Sequence, residues 1–162
     1  MDTRLHVSLA RQHLRLLRFE AVLGEWPISS AAAGAGERIG SGCTPRGRHR
    51  IRALIGAQAP EGAVFVGRRP TGEVYDRALA LANPDRDWIL TRIIWLTGCE
   101  SGVNRGGTVD TLKRFIYIHG TPDTEPMGSP NSHGCIRMRN KDLIELFDQC
   151  HRGMPVLITE GE

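Results

Sequence analysis

Ile118-His119-Gly120 and, downstream of it, Ser132-His133-Gly134-Cys135-Ile136-Arg137-Met138-Arg139-Asn140 are the stretches on which the reading of this chain turns. They set a cysteine beside a glycine and two histidines. A free thiol with a pKa of about 8.5 is only weakly ionised at neutral pH, and it becomes a useful nucleophile when an imidazole takes its proton. The pattern therefore predicts a covalent thioester on Cys135. Gly134 lets a substrate carbonyl approach the backbone and leaves amide N–H groups to face a developing oxyanion. At alternating extended positions Cys135, Arg137 and Arg139 share a side, which brings a guanidinium within reach of a substrate carboxylate.

Worked outward, the same stretch sets the local structure. Phe115 to His119 reads as a strand that delivers His119 at its end. Lys141 to Cys150 carries Leu143, Ile144, Phe147 and Cys150 at helical spacing, with Asn140 as the expected N-cap and Gly153 and Pro155 as stops. The loop from Thr121 to Asn131, broken by Pro122, Pro126, Gly128 and Pro130, is expected to wall a cleft between His119 and Cys135. Its Asp123 and Glu125 are read as solvated charges.

Elsewhere period-two alternation dominates. Leu5, Val7 and Leu9 face one way, a turn follows over Ala10-Arg11-Gln12, and Leu14 and Leu16 continue the pattern. Further strands are expected at Val22 to Ser29, Ile51 to Ala57, Trp88 to Leu96 and Val156 to Thr159, the run from Trp88 being apolar enough to sit centrally. The Ala/Gly-rich segment from Ala31 to Gly42 reads as a mobile loop. Many strands and one good helix predict a mainly β domain.

His119-Gly120-Thr121 and Ser132-His133-Gly134-Cys135, with Arg137 and Asn140, resemble the signature of the L,D-transpeptidase family, also called the YkuD domain. Thr44-Pro45-Arg46-Gly47-Arg48-His49-Arg50-Ile51 resembles its Thr-Pro-x-Gly-x-(Phe/Tyr)-x-Ile element, and Pro27-Ile28-Ser29-Ser30 resembles its early strand. The resemblance runs from Leu5 to Ile158. It implies the family's β-sandwich with one helix after the catalytic cysteine loop. It also implies Cys135 as nucleophile, His119 as base with the Gly120 carbonyl fixing its tautomer, and Gly134 beside the oxyanion. His133, Arg137, Ser132 and Tyr117 would then line the substrate, although Tyr117, like Trp88 and Trp95, reads first as core filling while sharing the face of His119. Family chemistry is attack on the carbonyl of the third-position diamino acid of a peptidoglycan stem tetrapeptide. D-Alanine leaves, and water or a second stem's amine resolves the thioester.

Length and composition bound the alternatives. At 162 residues the chain reads as one catalytic domain over residues 1–162. The net charge is +3, and the arginines are spread among apolar positions, so the expected partner is a peptidoglycan-derived tetrapeptide or muropeptide and not nucleic acid. No window is apolar enough to span a membrane. Met1 to Ser8 alternates polar residues and does not read as a signal peptide, which suggests a cytosolic L,D-carboxypeptidase acting in wall recycling. An exported, periplasmic transpeptidase whose leader was removed is the alternative. Cys43, Cys99, Cys135 and Cys150 read as free thiols, with Cys150 in the core. A zinc site from His119, His133 and Cys135 is chemically allowed, but no second ligand pair lies nearby, so no metal and no cofactor are expected. A non-catalytic stem-binding module is the rival from another class.

Overall fold

The structure is a computed structural model that describes residues 2–161. Met1 and Glu162, the two ends of the span read as one domain, lie outside the described residues.

The first hairpin shows why the chain folds as a sheet. β1 (Thr3–Ser8) runs antiparallel to β2 (His13–Arg18), pairing Leu5 with Leu16 and Val7 with Leu14. β10 (Pro155–Thr159) lies parallel to β1 on its other edge, pairing Leu5 with Val156 and Val7 with Ile158. These six apolar side chains are fully or almost fully buried on one face, while Arg4, His6 and Arg15 stand on the other. β3 (Ala21–Pro27) flanks β2, and β4 (Gly47–Ile55) flanks β10.

Past β4 comes β7 (Leu90–Gly98), which also pairs with β5 (Ala63–Val66) and β8 (Tyr117–Gly120). β7 is the central strand expected from its composition. Ile94 and Leu96 enter the main core, and Ile93 and Trp95 pack on the opposite face with Phe65 and Tyr117. β9 (Ile136–Met138) lies parallel to β8, and an antiparallel bridge from Arg137 to Ser29 joins it to the segment after β3. The ten-stranded sheet therefore curls round on itself. Trp26, Ile28, Ile51, Ile118, Ile136 and Met138, from both ends of the strand path, meet in one core. This is how the expected mainly β, sandwich-like packing is realised.

α2 (Asn140–Phe147) covers one side of that core with Leu143, Leu146 and Phe147. It stops short of Cys150, which packs against the core from the following turn. Arg139, with extended backbone, and not Asn140 occupies the N-cap position, and the Asn140 side chain bonds Thr91 and the Thr121 carbonyl instead. Sequence reading also passed over a hairpin and a helix. β5 turns into β6 (Arg69–Val74) through Gly67 and Arg68, both at positive φ as a two-residue primed turn requires. α1 (Arg77–Ala82) is capped by Asp76, whose carboxylate accepts from the Leu79 amide at 2.7 Å. The single expected helix is thus accompanied by a second, short one.

Candidate active site

The parallel register of β8 and β9 builds the site. Ile118 lies beside Ile136 with both side chains in the core, so His119 and Arg137, also neighbours, turn to the opposite face with Tyr117. Cys135 immediately precedes β9 on that same face. Its sulfur accepts from the Tyr117 amide at 3.3 Å and donates to the Phe115 carbonyl at 3.3 Å. Phe115, at positive φ, ends the turn that brings this carbonyl to the thiol, so the strand begins at Tyr117 and not at Phe115. Cys135 opens on a cleft of about 490 Å³ shared with Ile39, Gly42, Arg114, Phe115 and His133.

Burial pushes the Cys135 thiol up to about 11, opposed by the Tyr117 amide and by the Arg137 and Arg114 charges. At neutral pH the resting sulfur is a thiol. Burial likewise lowers His119, which is 3% exposed, although its bond to Gly120 and the Asp87 charge pull the other way. His119 Nδ1 lies 2.6 Å from the Gly120 carbonyl, which can only accept, so Nδ1 carries the proton and Nε2 keeps its lone pair. The resting imidazole is neutral and of one tautomer.

The cysteine loop is braced from inside. Gly134, at φ +133°, gives its carbonyl to the Thr44 hydroxyl at 2.9 Å, and Thr44 also receives the Ala31 amide at 3.0 Å. The upstream Thr-Pro motif therefore clamps the loop. Two sequence expectations need correction here. The Gly134 amide donates to Ser132 Oγ at 3.3 Å and is not free for an oxyanion. Ser132, expected to line the substrate, is 3% exposed and its hydroxyl also donates to the Cys135 carbonyl, so in this structure it braces the loop.

Tyr117 is corrected in the same way. Its ring is buried edge-on against Trp95, with centroids 5.9 Å apart, and its hydroxyl accepts from Arg68 at 3.0 Å. Only its backbone amide reaches the sulfur. Arg68 also stacks on Trp95 and Phe115, so the missed β5–β6 hairpin fixes the wall beside the thiol.

His133 is exposed at the mouth of the cleft, with Nδ1 3.9 Å from Asp87. Arg137 is almost buried and lies 3.5 Å from Asp87 and 3.9 Å from Glu125, and it donates to the Asn131 carbonyl at 3.2 Å. These residues line a second hollow of about 180 Å³ with Trp88, Thr121 and Pro122. Arg139, expected on the same side, is exposed as the α2 cap. Asp87 was not singled out from sequence, since one Asp among Asp85-Arg86-Asp87 carries no local mark. The Ala31 to Gly42 segment, expected to be mobile, is tied by bridges from Ala31 to Ser132 and from Ala35 to Thr44, and Arg114 donates to the Cys43 carbonyl at 2.7 Å. Among the described residues no group of three His, Cys, Asp or Glu side chains is placed to hold a metal, and all four cysteines are free.

A half-buried thiol, a buried neutral imidazole on the same sheet face and an adjoining cleft define a candidate thiol acyltransferase on a curled β scaffold. The chain belongs to the L,D-transpeptidase catalytic domain family, YkuD, whose model matches residues 2–158. Over 47 residues it is 45% identical to YqjB of Bacillus subtilis strain 168, a protein whose name places it among the L,D-transpeptidases; the match covers 29% of this chain and 27% of YqjB. YkuD of the same strain is also 45% identical over 47 residues, covering 29% of each. Among solved structures, L,D-transpeptidase 3 from Mycobacterium tuberculosis superposes with a TM-score of 0.60 at 16% identity, covering 98% of this chain and 61% of that one. The Enterococcus faecium L,D-transpeptidase C442S mutant gives 0.55 at 19%, covering 98% and 50%. The chain thus spans under a third of the matched Bacillus proteins and one half to three fifths of these structures.

Proposed function

We propose that this domain carries out cysteine-dependent acyl transfer on peptidoglycan stem tetrapeptides, releasing the terminal D-alanine from the third-position diamino acid. The observation that carries the reading is the Cys135 sulfur, held between the Tyr117 amide and the Phe115 carbonyl beside a cleft, with His119 Nδ1 locked to Gly120 on the same face.

Both members of the pair rest neutral, so the thiol proton moves to His119 Nε2 as sulfur attacks the carbonyl. For this the S–H must turn from Phe115 toward the imidazole. The Tyr117 N–H already faces the sulfur and stabilises the developing negative charge. In this reading the Cys135 amide would receive the carbonyl oxygen, and the imidazolium returns its proton to the departing amine of D-alanine. A carboxylate of the substrate would draw Arg137 away from Asp87 and Glu125, with His133 at the rim beside it. Water or an amine then attacks the thioester.

Of the two acceptors our reading is water, with soluble wall fragments in the cytosol as substrate. An exported transpeptidase making cross-links is the alternative. The test is incubation with a disaccharide tetrapeptide, with and without an amine acceptor, while D-alanine and the acylated product are followed. We expect D-alanine and a tripeptide from the native protein and neither from Cys135→Ala. A stem that binds without turnover would make the domain a binding module, and a dominant cross-linked product would replace hydrolysis by transfer.

A further inference from the structure

Thr91 lies where β7 bulges, between the residues paired with Gly120 and with His119 on β8. It is fully buried and adopts φ +76°, a region that a β-branched residue rarely enters. Glycine would be the relaxed choice there. Such outliers persist only where their surroundings over-determine them, and one of the two hydrogen bonds of the Thr91 hydroxyl leads toward the site. Its hydroxyl donates to Asn140 Oδ1 at 2.6 Å and accepts the Gly62 amide at 3.0 Å, while its carbonyl receives Arg92 at 2.7 Å.

Asn140 carries the link onward. Its Nδ2 donates to the Thr121 carbonyl at 3.0 Å, and its Oδ1 packs against Gly120 so closely that a Cβ at Gly120 would collide with it. The same Cβ would come within 2.6 Å of the Leu90 carbonyl, so only glycine fits where the backbone passes between Asn140 and β7. The Gly120 carbonyl is the group that fixes Nδ1–H of His119.

We infer that Thr91 is a positioning residue for the base: its hydroxyl fixes Asn140, Asn140 fixes the Gly120–Thr121 backbone, and that backbone fixes the His119 tautomer and its Nε2 lone pair. The inference rests on His119 acting as the base, so its test has one readout that needs no turnover. In proton-nitrogen spectra of the whole domain the native His119 should give a hydrogen-bonded Nδ1–H signal, identified by its loss in His119→Gln. Thr91→Val keeps the shape and removes the hydroxyl, and Thr91→Gly removes it while relieving the left-handed backbone. In both, the signal should weaken as the other tautomer appears, and kcat for D-alanine release should fall about 10- to 100-fold with KM little changed, the size expected of a misplaced catalytic group. Thr91→Ser, which keeps the hydroxyl, should restore both. A purely structural role would lower the melting temperature without changing the tautomer. If Thr91→Val fails to fold, Thr91→Gly decides, and a folded Thr91→Gly domain with native tautomer and native kcat overturns the inference. Should the native protein release no D-alanine, the substrate reading fails while the imidazole spectra still judge Thr91.

Discussion

His119→Ala leaves solvent to deprotonate Cys135, which makes the burial of the thiol directly measurable. Desolvation lifts Cys135 from 9.0 to about 11. A thiol at that value is about one part in ten thousand ionised at pH 7 and about one part in ten at pH 10. Since thiolate is the reacting form, alkylation of Cys135 by iodoacetamide in His119→Ala should climb about tenfold per pH unit, roughly a thousandfold across that interval. In the native protein the imidazole assists, and burial holds its pKa below 6.5, so it remains a competent base at neutral pH and is lost only as pH falls below that value. The native profile should therefore be flat near pH 7 where the variant rises steeply. The assay is peptide-resolved mass spectrometry after timed alkylation, with Cys150, pushed up to about 12 by burial, as the slow internal reference. Identical profiles for native and variant between pH 6 and 8, or a variant midpoint at or below 9, would refute the neutral-pair reasoning.

Arg137→Lys keeps the charge but loses the planar fork that now meets Asp87 and the Asn131 carbonyl, so kcat/KM on tetrapeptide should drop about tenfold; kinetics equal to the native enzyme would reduce Arg137 to a structural residue. His49 is 1% exposed, bonded to Thr111 at 2.9 Å, and held at about 4 by burial. A buried neutral histidine with a depressed pKa leaves stability intact above pH 6.5 and erodes it by about 3 kcal/mol as pH falls to 4, a loss that urea unfolding should show and His49→Gln should largely abolish. With Cys135 as the nucleophile, a carbapenem, whose strained carbonyl suits attack by a thiol, should add one drug mass here, mapped to Cys135 and prevented by Cys135→Ser, and a protein left unmodified at every time point would count against the nucleophile.

How much of this was legible in the sequence follows from which interactions are local. Period-two alternation around Leu5, Val7, Leu14 and Leu16 exposed the first strands because one face is buried and the other is wet. The Gly-Cys and His-Gly pairs marked the site because their chemistry is rare. Asn140 misled, since a residue before an apolar helix resembles a cap, and only the fold brings Thr91 and Thr121 to its amide. Ser132 and Tyr117 misled for a similar reason: motif membership marks a residue as needed near the thiol without saying whether it touches substrate or braces a loop. The β5–β6 hairpin has a legible Val66-Gly67-Arg68-Arg69 turn, but β6 carries Pro70 and Gly72 and buries little, so its apolar alternation is weak.

The placement of the chemistry depends on packing that is itself remote from chemistry. A slip of β9 by one residue along β8, which β7 holds in place, would turn Arg137 into the core and send Ile136 and Met138 to the cleft. Ile136 and Met138 are each fully buried, so that slip would drive a guanidinium into a hydrophobic core and is strongly disfavoured. The register that seats Cys135 against the Tyr117 amide is thus enforced from the opposite face of the same strands. From the cleft side, Thr44 fixes the loop before Cys135, and Thr91 with Asn140 fixes the backbone after His119. Cys135 and His119 are therefore held by separate side-chain contacts on one shared pair of strands. Loosening either contact should change the chemistry before it changes the fold, and this separates the site's tuning from its scaffold.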